Sequence, residues 1–587
     1  MSAELTAQKP SAKYLVDLHQ PLVRHFDLIA QAPGGVARLR ELILTLAVQG
    51  KLVPQDPSDE PASELLKKIR AEKDRLIAEG KIKRDTPQAE ITDEEKQFEL
   101  PEGWVWVRNS NLFSLRKGKV PKDISDKPEG FPYLDIDALD RNIVKRYSTD
   151  ASAPMCTCED ILVVCDGSRS GLVLQGQDGI IGSTLSVIDT AKKIQPFIQL
   201  IFQAGFNRYN SGMKGAAIPH LDTKVVLAEV VGLPPLDEQS RIVTRVEELM
   251  QLCDALEAQG QLQAEQHARL VSTLFGSLLQ GDTPEALADN WQRIATHFDL
   301  LLDRPEAVDT LEQTILQLAV RGLLVPQDPT DEPASALLQK IRTEKDHLIA
   351  QGKIKRDKPL LPITDEEKPF ELPQGWGWAR LQQAYDVRDG THDTPKYQAT
   401  GYPLVTSKNI YGGVLDLSDV KLISAEDHEQ ISARSKVDRH DILFAMIGSI
   451  GNPVLVDTDH EFSVKNVALF KYYAAHLSCP AYLLLLLQTE AKGIRERAAG
   501  AVQSFVSLGQ LRSAVVALPP LAEQSRIVSR VKELCAMCAH LRAKLLEQQS
   551  TASNLTEALI DVVCVRVELA AANSLNCKSR SYPVDRP

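Results

Sequence analysis

The sequence predicts a mixed α/β fold, with two α/β domains separated by long antiparallel coiled-coil helix pairs in a pseudo-twofold object of circularly arranged repeats. Three observations carry that prediction. A central stretch, 233–326, recurs in two halves, its beginning near the C-terminus and its end near the N-terminus. The repeated beginning places apolar residues at heptad spacing, the mark of a helical seam that needs a partner. Between the repeated blocks lie two segments whose likeness has faded, each mixing strand and helix signals with Gly-rich turns. A unit present whole in the middle and halved at the ends closes when the two ends come together.

In chain order, an N-terminal copy runs from His25-Phe26-Asp27-Leu28 to Gly103-Trp104, and a central copy from His297-Phe298-Asp299-Leu300 to Gly375-Trp376, at a constant offset of 272. Within it Leu46-Ala47-Val48-Gln49-Gly50 matches Leu318-Ala319-Val320-Arg321-Gly322, and Phe98-Glu99-Leu100-Pro101 matches Phe370-Glu371-Leu372-Pro373. After each Trp the likeness fades. It returns at Leu233-Pro234-Pro235-Leu236-Asp237-Glu238-Gln239-Ser240-Arg241-Ile242-Val243 and Leu518-Pro519-Pro520-Leu521-Ala522-Glu523-Gln524-Ser525-Arg526-Ile527-Val528 with an offset of 285, so the second insert is longer by 13 residues. The duplicated frame reads as scaffold, and the inserts as the parts free to differ.

The seam residues are Ile242, Val246, Leu249, Cys253 and Leu256, copied as Ile527, Val531, Leu534, Cys538 and Leu541. Paired prolines stop the preceding strand, and acidic residues follow where a helix N-terminus favours them. Forty helical residues span ~60 Å. A second helix carries Leu311, Ile315 and Leu318 and ends at Gly322; Leu39, Ile43 and Leu46 repeat it before Gly50. The expected partners are the sequence neighbours for the central pair, and the C-terminal and N-terminal helices for the outer pair. The charged segments 62–79 and 334–351 read as a helical arm, either solvated or a subunit contact.

Each insert carries an apolar strand running into a Gly-rich turn, 160–171 and 441–451. Such a turn either offers backbone N–H groups to phosphate or is a tight bend. Polar loops precede the turns: Arg116-Lys117-Gly118-Lys119-Val120-Pro121-Lys122 in the first insert, and Arg388-Asp389-Gly390-Thr391-His392-Asp393-Thr394-Pro395-Lys396 with Thr406-Ser407-Lys408-Asn409 in the second. Lys and Arg serve guanine acceptors or phosphates, and Asn pairs bidentately with adenine. Taken singly, each loop also fits an ordinary solvated surface.

Composition is that of a soluble protein: 43% hydrophobic and 25% charged residues, with no apolar run near the ~20 residues of a membrane helix. No secretory signal is visible, and nine scattered cysteines suit a reducing cytosol. The net charge of −12 lies in the frame, because 105–232 sums to +1 and 377–517 to −1. No phosphate-binding G-x-x-x-x-G-K-[ST], H-E-x-x-H, G-x-S-x-G or Asn/Asp-Pro-Pro-aromatic motif occurs. Cys535 and Cys538 have C-x-x-C spacing without a second pair, and Cys538 falls on the seam, so core packing is expected. His392, without other ligands nearby, reads as a hydrogen-bonding loop residue.

The duplicated Leu-Pro-Pro-Leu-x-Glu-Gln blocks, the Gly-Trp opening each insert, and Asp389-Gly390-Thr391-His392 with Thr394-Pro395 resemble the DNA-specificity subunits of type I restriction–modification enzymes. The resemblance covers nearly the whole chain. It implies target recognition domains at 105–232 and 377–517, conserved helical regions at 1–104, 233–376 and 518–571, and leaves 572–587 as a disordered tail. It also implies a non-catalytic cytoplasmic subunit on double-stranded DNA, with two methyltransferase and two translocase–nuclease subunits as partners. S-adenosylmethionine, ATP and Mg would be theirs, with no cofactor or metal on this chain. The candidate DNA-binding residues are Lys117, Lys119, Lys122, Ser168, Arg169 and Lys214 in the first domain. In the second they are Thr391, His392, Thr394, Lys396, Lys408, Asn409, Lys465 and Gln503. Glu238, Gln239, Arg241, Glu523, Gln524 and Arg526 are the candidate subunit-binding residues. The first insert lacks the Gly-Thr-His-x-Thr-Pro loop, and Lys117-Gly118-Lys119 stands in a similar place.

Overall fold

In the computed structural model of the chain, residues 29–30, 32–79, 89–211, 220–280, 284–498 and 505–578 are described. They fall into two compact units, one made of Met1–Ala264 with Gln548–Pro587 and the other of Glu265–Glu547. The chain passes between units twice, each time inside a long helix, Leu236–Leu278 or Leu521–Lys578. Both helices follow a Pro-Pro pair, which supplies no N–H to continue a strand. The second contains neither Pro nor Gly and runs to Lys578, so the tail expected to be disordered from Ala572 is helical over 572–578. Residues 579–587 lie outside the described ones.

In the first unit the seam residues Ile242, Val246, Leu249 and Cys253 are buried against Leu39, Leu42, Ile43 and Leu46 of the short helix Gly35–Val48. Arg40 of that helix reaches Asp254 at 2.6 Å and Glu257 at 3.2 Å on the long one. The second unit repeats this with other segments. Ile527, Val531 and Cys538 are buried in one core with Val308, Leu311, Ile315 and Leu318 of Pro305–Val320, and Arg542 donates to Asp309 and Glu312.

The expected pairing is therefore corrected. Each seam is covered by the short helix one whole insert away in sequence, not by the partner assigned to it above. Among the described residues the assigned partners meet at the far ends of the long helices. There Val271, Phe275 and Leu278 join the core of the second unit, and Arg38 reaches Glu557 at 3.3 Å in the first. The reason lies at the base of each insert. Strand Val105–Arg108 pairs antiparallel with Val230–Leu233, and Gly377–Arg380 with Val515–Leu518. Each insert thus starts and ends at one point, which brings the segment before it beside the helix after it.

A duplicated buried junction locks that point. The Trp104 indole N–H donates to Glu238 at 3.0 Å, and the Gln55 amide donates to the same carboxylate at 3.2 Å. Trp376, Glu523 and Gln327 repeat the set at 3.0 and 3.3 Å. Gln239 and Gln524 donate to the carbonyls of Pro234 and Pro519, while Arg241 and Arg526 bind Asp59 and Asp331. Glu238, Gln239, Glu523 and Gln524 are only 1–2% exposed. Their assignment to subunit binding is corrected: side chains sequestered inside their own unit present no surface to a partner. Arg241 and Arg526 are part-exposed but occupied by their aspartates. The arms, helices Ala62–Ala78 and Ala334–Ala350, are tethered too, with Lys73 and Lys345 donating to the carbonyls of Ser110 and Gln382 in their own units.

Each insert folds into a head on one shared topology. In the first, a four-stranded sheet runs in the order 113–117, 185–190, 161–164, 173–175; in the second, 386–389, 467–471, 442–445, 451–455. A second sheet contains one parallel pair in each head, Phe131–Leu134 with Gly179–Ile181 and Tyr402–Val405 with Ser463–Val464. Inner strands Ile161–Val164 and Ile442–Ala445 are buried at every position, which explains their unbroken apolar runs. The second head adds a hairpin, Ile410–Tyr411 with Val414–Leu415, and the helix Ala425–Ser435.

Candidate nucleic-acid interface

Loops from several strand ends converge at one end of each head. In the second head, Gly390 N donates to Val467 O and Thr391 N to Val464 O, so the Gly-Thr-His loop lies along 464–467. Gly390 is required there, because a Cβ would strike the Val464 carbonyl. His392 Nδ1 lies 3.1 Å from Asn466 Oδ1 and Nε2 3.0 Å from Asp389, and Lys465 Nζ donates to Thr394. Lys465 N donates to Val405 O, joining this loop to the one at 406–409. That loop adjoins the Gly-rich turn, since a Cβ on Gly448 would sit 3.8 Å from Ser407 Oγ.

The first head builds the same end from other residues. Gly118 N donates to Leu185 O, and Gly118 lies against the Ile181 and Gly182 carbonyls just as Gly390 lies against Val464. The Lys-Gly-Lys segment therefore occupies the place of Asp-Gly-Thr, and a cation replaces an anion: Lys117 stands where the second head has Asp389. Lys117 Nζ is 3.8 Å from Asp166, whose other oxygen is 2.7 Å from His220 Nδ1.

Of the residues singled out in the sequence, Thr391, His392, Thr394 and Lys465 are brought together, and Lys396 and Lys408 are exposed beside them in the chain. Lys117, Lys119, Lys122 and Ser168 are exposed in the first head. Arg169 spends two N–H groups on Asp140, at 2.8 and 3.0 Å, and holds that carboxyl below its usual range. Asn409 is a correction. It is 7% exposed, its oxygen accepts from Thr406 and its amide donates to Asp419 O, so it shapes the loop and cannot face a base. Lys214 and Gln503 lie outside the described residues. Cys253 and Cys538 are core residues, and among the described residues no cluster of His, Cys, Asp and Glu could hold a metal ion.

Comparison with known proteins decides the family. The description "Type I restriction modification DNA specificity domain" matches residues 101–266 and 375–548. The chain belongs to that family. It is 36% identical to the type I restriction enzyme EcoAI specificity subunit of Escherichia coli, over 90% of this chain and 93% of that one. It is 34% identical, over the same shares, to the EcoEI specificity subunit of Escherichia coli. A crystal structure of the HsdS subunit from Thermoanaerobacter tengcongensis aligns with 80% of this chain and 98% of that one, at 18% identity and a TM-score of 0.34. As a type I specificity subunit the chain is a non-catalytic DNA-recognition component. Among the described residues no helix is long and apolar enough to cross a membrane.

Within the recognition domains, sequence reasoning missed Asp166 with His220 and Ile447 with Phe505, pairs bridged at the Gly-rich turns. A signal existed. The 285 offset of the Pro-Pro blocks extends upstream to Gly215-Ala216 and Gly500-Ala501, five residues before His220 and Phe505 respectively.

Proposed function

We propose that each head reads one half of a bipartite duplex target, and that the long helices set the gap between the halves. Supporting this reading is one observation above all: two heads of one topology present equivalent loop ends carrying different side chains. Equal frames give each half-site the same approach, and unequal side chains let the half-sites differ in base sequence. Both crossings between units run inside helices, which supports the reading that helices set the gap. Two methyltransferase subunits and two translocase–nuclease subunits supply S-adenosylmethionine, ATP and Mg chemistry, and a target adenine is flipped into the methyltransferase. With a net charge of −12, the chain depends on those partners for much of its phosphate attraction.

The test is the methylation footprint of the assembled complex across a genome. One bipartite motif with a constant gap is expected, and replacing 105–232 with another insert should change one half-site only. A continuous motif, or change in both halves, removes the reading. Inserting four residues beside Gln259 should alter the preferred gap or abolish activity; an unchanged gap at full activity rules out the helical ruler.

A further inference from the structure

At one point of the candidate interface the heads differ in kind. The bridge beyond the inner strand joins Asp166 to His220 in the first head and Ile447 to Phe505 in the second. Backbone bonds fix the equivalence, with Leu221 N donating to Cys165 O at 2.8 Å and Val506 N to Met446 O at 2.9 Å. A glycine of positive φ follows each, Gly167 at 105° and Gly448 at 76°.

The first pair is polar. A carboxylate only accepts, so the short contact to Asp166 puts a proton on His220 Nδ1, and in the neutral form of the ring Nε2 is then an acceptor. His220 is more than half exposed, so that acceptor is available. The second pair is apolar, with Ile447 42% and Phe505 50% exposed. Large apolar side chains on the rim of a polar site gain by being covered. Ser407 lies beside the following Gly448, and the adjoining loops carry Lys408 and His392, which points to DNA as the cover.

We propose that this position determines base preference in both heads. Asp166–His220 accepts from an amino group, adenine N6 or cytosine N4, in the first half-site. Ile447–Phe505 packs on a thymine methyl in the second. In the major groove those amino groups are the donors, and thymine alone carries the methyl. The inference rests on the assignment of one half-site to each head.

The test uses the assembled methyltransferase complex and duplexes bearing its own motif. Replacing the thymines of the second half-site by uracil, one at a time, deletes only the methyl group. One position should bind about fourfold to tenfold more weakly. Tolerance of every replacement, or a second half-site without thymine, overturns the proposal. This measurement uses the unaltered protein, so no folding defect can mask it. In the reverse direction, the double variant Asp166→Ile with His220→Phe should move one position of the first half-site from adenine or cytosine toward thymine, leaving the gap and second half-site alone. An unchanged motif at full activity overturns the assignment in the first head. Loss of subunit assembly in Phe505→Ser, with uracil tolerated throughout, would mean that the apolar pair docks protein and would overturn the assignment in the second. Absence of any bipartite motif in the unaltered complex would instead remove the underlying reading.

Discussion

The junctions at the bases of the two heads repeat one another, with both Trp–Glu bonds at 3.0 Å, whereas the loop ends put Lys117, Asp166 and His220 in one head where the other has Asp389, Ile447 and Phe505. Burial separates the two behaviours. A sequestered Trp N–H and Glu carboxylate each need a specific partner, because an unfilled polar group in a core costs about 1–3 kcal/mol. An exposed loop side chain can exchange its partner for water at little cost, so the same backbone tolerates opposite chemistries there. What the comparison teaches is that interchangeability resides in the loop ends and uniqueness in the base.

The strongest way to break this comparison is at the glycines common to both heads. Gly118→Ala or Gly390→Ala pushes a Cβ into a neighbouring carbonyl and should destabilise its own head by about 2–3 kcal/mol. Hydrogen exchange should show faster opening in that head only; equal opening in both would show that the heads are not independent.

Next come the junctions. Glu238→Ala or Glu523→Ala leaves a Trp N–H without its acceptor and removes one bond of a Gln amide that still donates to a glycine carbonyl, and should cost the affected unit about 2 kcal/mol. Burial raises the pKa of both carboxyls, so the folded unit holds the proton more readily than the unfolded chain. Their contribution is therefore greatest below the unfolded carboxyl value and falls as pH rises through the folded one. Denaturant midpoints across the acidic range should carry that slope in the parent and lose part of it in the variant.

A smaller contrast sharpens the difference between reading and shaping. Asn409→Ala should lower the stability of the second head by about 1–2 kcal/mol, since two carbonyl or N–H groups lose a partner. Lys408→Ala should leave stability alone and reduce the slope of log affinity against log salt by about 1. Equal effects of the two on stability would show that Lys408 is structural. The smallest effect is expected from Arg169→Ala, about 0.5 kcal/mol, because its pair with Asp140 is surface-exposed. A larger loss in thermal unfolding would mean that this pair closes the Gly-rich turn.

Much of the frame was legible in the chain itself. The heptad residues Ile242, Val246, Leu249 and Cys253 lie in a core as their spacing predicts, and the offset of 272 locates a second short helix that ends at Val320 as the first ends at Val48. Position in the chain puts the Lys-Gly-Lys segment near the place of the Gly-Thr-His loop, and the bonds of Gly118 and Gly390 align it one residue earlier, with Asp389-Gly390-Thr391. Asn409 was misread because its residue type suits adenine, while its burial depends on Asp419, ten residues further along a hairpin. Glu238 and Glu523 mislead for a different reason: duplication marks a residue as constrained without saying whether a partner subunit or the core constrains it.

Local pattern therefore determined what recurs along the line of the chain: helices, seams, strands, glycine turns and the boundaries where likeness fades. Those follow from side-chain periodicity and backbone conformation, which act between near neighbours. Which short helix covers which seam was decided only in three dimensions, where strand pairs such as Val105–Arg108 with Val230–Leu233 close each head at its base. A seam specifies that it must be covered, but any apolar stripe of the right period satisfies it; closure of the heads selects the one that does.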